Sequence, residues 1–215
     1  EDAQRLIRTL KCSACHDRDN SASARLEILG EEGSGRLPEP LPALTWSGEK
    51  LRAAWLESFF AGKLDYRPRP TLRTRMPAFP AHAALVAHGF AGEHGIDPAE
   101  TERRVLDPEQ AKLGEILTRP TGLDCRQCHA LGREPLAGDA KTQLAVGIPF
   151  LHVRERLREE FYHRFVLDPP RFDLQTKMPK LLGTTGTTKV TSIYDGDARR
   201  QLEAIWQFIL SVPKE

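Results

Sequence analysis

The chain has 215 residues, a formal net charge of +1, 40% hydrophobic and 28% charged residues. That length allows one or two domains, and the near-neutral balance gives no support for binding nucleic acid or a membrane surface. No run of 18 apolar residues exists to span a bilayer.

The first ten residues, EDAQRLIRTL, place Ala3, Leu6, Ile7 and Leu10 at the spacing of an amphipathic helix. Directly after it comes Cys12-x-x-Cys15-His16. The polar insert 16–40 reads as a short hairpin around its glycines. In SGEKLRAAWLESFFAGK, Leu51, Trp55 and Phe59 recur every four residues and predict a middle helix. The Pro- and Arg-rich DYRPRPTLRTRMPAF is a loop ending in Arg75-Met76-Pro77. PAHAALVAHGFAGEHG, with His82, His88 and Gly89, forms a weak closing helix, and residues 96–106 read as a linker.

The same order then recurs. DPEQAKLGEILTR predicts a helix with Asp107 as N-cap, Pro108 in its first turn, and Leu113, Ile116 and Leu117 on its apolar face. Cys125-x-x-Cys128-His129 follows. Val153, Leu157, Phe161 and Phe165 repeat the spacing of four in a second middle helix, and DPPRFDLQTKMPKL repeats the loop, ending in Lys177-Met178-Pro179. The Thr/Gly-rich 182–197 reads as a solvated surface loop. DARRQLEAIWQFILSV closes the chain with Leu202, Ile205, Trp206, Ile209 and Leu210 on one helical face. The expected domains are therefore 1–95 and 107–215.

All four cysteines lie in the two Cys-x-x-Cys-His motifs. Chance would supply roughly 0.002 such motifs in a chain of this composition, and the pattern reads as c-type haem attachment. Two thiols a short loop apart can add to the two vinyl groups of one haem, and the next residue, His16 or His129, becomes the proximal iron ligand. A disulfide or redox pair needs no following His. A structural zinc site needs a fourth ligand, and no further Cys remains to supply a second pair. Two haems would also add apolar core to a chain modest in hydrophobic residues.

With Met76-Pro77 and Met178-Pro179 downstream of the two motifs, the chain resembles the class I c-type cytochromes in a tandem dihaem form. The resemblance covers nearly the whole chain as two copies. It implies an all-α fold of two cytochrome c-like domains, each wrapped around one covalently bound haem c. His16 and Met76 would ligate one iron, and His129 and Met178 the other, with Cys12, Cys15, Cys125 and Cys128 as the attachment points. It further implies a proline carbonyl accepting from the proximal His Nδ1–H, here from Pro42 and Pro149, each followed two residues later by Leu (Leu44, Leu151). A glycine letting first and last helices cross closely falls at Gly114, with no equivalent in the first half.

The implied function is electron transfer between a redox donor and an acceptor outside the cytoplasm, in the bacterial periplasm, rather than enzymatic turnover. One alternative is a dihaem peroxidase-like oxidoreductase, in which His82, His88, His94, His152 or His163 replaces a methionine. Another is the electron-entry module of a larger exported enzyme. The chain beginning at Glu1 is read as a processed form or an excised piece.

Overall fold

The spacing of Ala3, Leu6 and Ile7 buries one side of helix α1 (Asp2–Thr9), as the sequence predicts. The structure, a computed structural model, describes residues 2–25, 41–69, 72, 74–99, 105–133, 136, 146–183 and 185–213. The hairpin expected within 16–40 lies largely outside them; Arg18 and Ser21 form one isolated antiparallel bridge at its start.

Contacts divide the chain into two units, Glu1–Arg67 with Leu72–Thr101, and Pro68–Thr71 with Glu102–Glu215. The division near residue 101 falls inside the 96–106 segment. Among the described residues all regular secondary structure is helical, and no helix is long and apolar enough to cross a membrane.

The first unit contains α1, a 3-10 turn at Cys12–Ala14, α2 (Ser47–Lys50), α3 (Ala53–Phe60) and α4 (Ala83–Glu93). Its core gathers Leu6, Ile7, Leu44, Trp55, Leu56, Phe60, Val86, Ala87 and Phe90. α4 is the hub, since α1, α2 and α3 all pack on it. The close approaches are made by glycines. A Cβ on Gly89 would lie 2.0 Å from Ala3 Cβ, and one on Gly48 would lie 1.8 Å from the Phe90 carbonyl oxygen. The first-to-last helix crossing therefore does have its glycine here, on the last helix instead of the first.

The second unit contains α5 (Pro108–Thr118), a 3-10 turn at Cys125–Gln127, α6 (Phe150–Arg156), α7 (Glu159–Leu167), α8 (Pro169–Phe172) and α9 (Ala198–Ser211). α9 is buried along most of its length and packs on α5, α6 and α7. At the α5–α9 crossing a Cβ on Gly114 would fall 1.9 Å from the Ala204 carbonyl oxygen. This contact rotates α5 away from the expected face. Ala111, Gly114, Leu117 and Thr118 are buried, whereas Ile116 is 45% exposed.

Both middle helices are broken, against the sequence expectation of continuous ones. Leu51 and Arg52 separate α2 from α3 with extended backbone (ψ 140° and 134°), and Leu157 and Arg158 separate α6 from α7 likewise (ψ 146° and 140°). The spacing of four survives as side-chain stacking, with Trp55 on Phe59 at 5.3 Å and Phe161 on Phe165 at 5.8 Å between ring centroids. The DPPRF stretch, expected as loop, winds into the single turn of α8, because proline suits the first turn of a helix.

The segment after Met178 is largely exposed, as expected of a surface loop, but it is fastened to the helix that follows. Thr188 is buried and donates to Gln201 Oε1 at 2.6 Å, while Gln201 Nε2 donates to the carbonyls of Val190 and Ile193, both at 2.7 Å. Gln201 is fully buried on α9. A buried amide left unpaired is costly, so these bonds fasten the segment to the helix.

Two stability outcomes follow. Gly114→Ala should cost about 1–3 kcal/mol, because backbone must move to admit the methyl group. Gly92→Ala, with nothing within 4 Å of its Cβ position, should be neutral or gain about 0.4–1 kcal/mol; urea denaturation of both checks this. Asp107 caps α5, accepting from the Glu109 and Gln110 N–H groups. Those bonds, Gln110's first, hold its carboxyl below the usual range. Its contribution is thus complete above the ordinary aspartate pKa of about 3.9 and is lost as pH falls through the lower folded value. The stability difference between wild type and Asp107→Ala should shrink in melts taken from pH 5 to pH 3.

Candidate functional site

Each Cys-x-x-Cys-His motif folds into the same turn. The residue before the first cysteine is left-handed in both, Lys11 at φ 53° and Asp124 at φ 59°, an uncommon conformation for a side-chain-bearing residue. From there Cys15 N–H and His16 N–H both donate to the Cys12 carbonyl, at 3.1 and 3.0 Å. Cys128 N–H and His129 N–H both donate to the Cys125 carbonyl, at 3.2 and 3.0 Å. All four thiols are free. Burial raises the Cys12 thiol pKa and pushes that of Cys125 up to about 11.

The imidazole of each motif is held through Nδ1. His16 Nδ1 lies 2.7 Å from the Pro42 carbonyl oxygen, 26 residues away in sequence. His129 Nδ1 lies 2.7 Å from a carbonyl too, but that of Ile148, not Pro149. The shift has a local cause. The Pro149 carbonyl accepts from Val153 N–H at 3.0 Å as the first bond of α6, so the preceding carbonyl faces the ring.

The carbonyl-bearing segments are themselves pinned. Leu44 N–H donates to the Asp17 carbonyl at 2.8 Å, Asp19 N–H to Thr45 Oγ1 at 2.6 Å, and His94 Nε2 reaches the Thr45 carbonyl at 3.1 Å. In the second unit Gly147 N–H donates to the Cys128 carbonyl at 2.7 Å, Phe150 N–H to Ala130 at 2.8 Å, and Leu151 N–H to Leu131 at 3.2 Å. Phe150 stacks on the His129 ring at 5.3 Å and 12°. Gly147 is the cradle on this side, since a Cβ there would lie 2.5 Å from His129 Cε1. Burial holds His129 below the ordinary imidazole pKa, which favours its neutral form.

An arginine beside each turn reaches the last helix of its own unit. Arg18 bonds Glu93 at 2.7 Å and lies over Phe90 at 5.9 Å. Arg126, inside the second motif, bonds Thr118 Oγ1 at 3.1 Å and Glu115 at 3.3 Å, and lies over Phe208 at 5.2 Å. These arginines and Gly147 were not singled out from sequence. A basic residue in or just after a Cys-x-x-Cys-His motif is a faint signal, and a glycine two residues before a proline reads as an ordinary turn.

Met76 is half-buried against the first unit's core, as is Cys12. Met178 is half-buried, and its N–H donates to Thr176 Oγ1 at 3.3 Å. Of the alternative histidines, His94 braces the Pro42 segment. His88 sits 3.8 Å from Glu57 across α3 and α4. His152 is buried with Nδ1 3.3 Å from Glu155, His163 bonds Glu203 at 3.0 Å, and His82 is half-buried in the 3-10 turn before α4.

Per unit the arrangement presents two thiols and one imidazole whose Nδ1 is already engaged, leaving Nε2 as the donor atom. That set fits the covalent haem expected from the motif, and a half-buried Met stands downstream in each unit. No family model, curated protein or solved structure matches this chain.

Gly147→Ala should displace the His129 ring from Ile148 and lower stability by about 1–3 kcal/mol. The His129 ring signals should shift in NMR spectra while those of His16 stay in place, which separates ring displacement from general loosening.

Proposed function

We propose that the chain is a two-centre electron carrier of the class I c-type cytochrome kind, exported from the cytoplasm, with one haem c on each unit. The carrying observation is the repeated imidazole hold, His16 on Pro42 and His129 on Ile148, both at 2.7 Å, each within an identical Cys-x-x-Cys-His turn. Cys12 and Cys15 would attach one haem and Cys125 and Cys128 the other; His16 and Met76, and His129 and Met178, would ligate the irons. Bound there, the haems supply one-electron Fe(III)/Fe(II) chemistry, with thioether ligation raising the potential.

The chain's own residues orient and protect. A carbonyl on Nδ1 keeps the proton on that nitrogen, fixes the ring plane and raises the basicity of Nε2. The buried surroundings of His129 favour the neutral ligand form. Gln201 fastens residues 188–193, downstream of Met178, to α9, and the recurrence of a half-buried Met in each unit favours a carrier over a peroxidase-like enzyme. A donor and an acceptor protein complete the proposed role.

Absorption spectroscopy tests the ligand set. Met76→Ala or Met178→Ala should each remove about half of the Met–Fe(III) charge-transfer band and lower one potential. A variant with an unchanged spectrum would show that its methionine is only packing. The reduced wild-type protein should bind carbon monoxide slowly or not at all, and peroxide turnover should not exceed that of free haem. Rapid stoichiometric carbon monoxide binding with peroxide turnover would transfer the assignment to the enzyme.

A further inference from the structure

Outside both Cys-x-x-Cys-His motifs, α7 and α9 bring together three side chains of another chemistry. Glu159 and His163 stand one helical turn apart on α7, and Glu203 projects from α9. His163 Nε2 is 3.0 Å from Glu203 Oε2 and 4.0 Å from Glu159 Oε1. All three donor atoms lie within 4.8 Å of one another. Four ligands at 2.0–2.1 Å in a tetrahedron stand about 3.4 Å apart. The two His163 separations bracket that value, so side-chain rotation could bring the three donors onto one ion.

The surroundings favour a held site over a chance ion pair. Glu203 accepts from Gln207 Nε2 at 2.8 Å through its other oxygen, and Gln207 Oε1 accepts from Asp107 N–H at 2.9 Å. A ligating carboxylate fixed by an outer hydrogen bond is a recurrent feature of metal sites. The His163 ring meets Tyr162 edge-on at 5.1 Å, and Tyr162 is buried against Trp206 at 4.8 Å. The platform is thus the α7–α9 contact, tied to the start of α5 through Gln207. Side-chain exposures of 26%, 34% and 35% for His163, Glu159 and Glu203 leave the three open to solvent. That exposure gives water access to the cluster.

We infer that Glu159, His163 and Glu203 form a binding site for one divalent transition-metal ion of the zinc class, with water in the fourth position. One imidazole and two carboxylates suit such ions, whereas calcium takes six to eight oxygens and magnesium an octahedron of them. The site uses none of the residues proposed to hold the haems.

Calorimetric titration of the untagged, full-length protein with zinc sulfate tests it, after any thiol not carrying haem has been carbamidomethylated. One zinc per chain should bind, and calcium and magnesium should not compete. His163→Ala and Glu203→Gln should each weaken binding at least tenfold, while His88→Ala, altering the Glu57 pair, should leave it unchanged. Glu159→Gln keeps the His163–Glu203 contact and guards against misfolding of the other variants, as monitored by circular dichroism; it too should weaken binding. No saturable zinc binding, or equal affinity in Glu159→Gln and wild type, would overturn the site.

Discussion

An imidazole ring can rotate about two bonds and carry its proton on either nitrogen. Both freedoms must be removed before it can serve as a fixed donor. Here one backbone carbonyl per unit removes them, on His16 and on His129. A carbonyl is a strong acceptor with no conformations of its own, so its aim depends wholly on the segment that carries it. That dependence explains why residues 42–45 and 147–151 are tied at several points to the residues following each motif. It also explains why His94 is spent on the Thr45 carbonyl and why position 147 carries no side chain. The rest of each unit stands behind this contact.

The two units reach the same hold by different local means. In the first, Pro42 supplies the carbonyl from a segment braced partly by side chains. In the second, a short ladder of backbone bonds does so, and an aromatic ring stacks on the imidazole. The second ring is consequently driven toward its neutral form by burial. The two proposed centres would therefore have their imidazoles held by different surroundings, and the surroundings of the ligand are one of the levers on a haem potential.

The sequence made the long helices legible where apolar spacing was sustained, as in α1 and α9, and where a cap marked the start, as Asp107 does for α5. It also made the repeated turns legible, because Cys-x-x-Cys-His has few other uses. Packing between elements was less visible. The buried face of α5 depends on Gly114 meeting the Ala204 backbone, and hydrophobicity alone pointed to Ile116. The breaks at Leu51-Arg52 and Leu157-Arg158 carry no proline or glycine, so the period of four ran straight through them. The one-residue shift from Pro149 to Ile148 depends on which carbonyl the next helix consumes. The fastening of the 182–197 segment was hidden because its anchor, Gln201, is a polar residue in a helix otherwise read by its apolar face.

The glycine at the first-to-last helix crossing changes helix between the units. Gly89 is on the closing helix and meets Ala3, whereas Gly114 is on the opening helix and meets Ala204. What each unit fixes is thus a separation between two axes, a property of the pair. Either member can be the one without a side chain. Superimposing the two halves helix for helix would set a glycine against an alanine at both positions and suggest divergence where each unit uses one glycine to admit a close approach. Chimeras that exchange opening helices between units would pair alanine-bearing faces in one product and two glycines in the other, turning a local choice of residue into a rule about which helices can be partners.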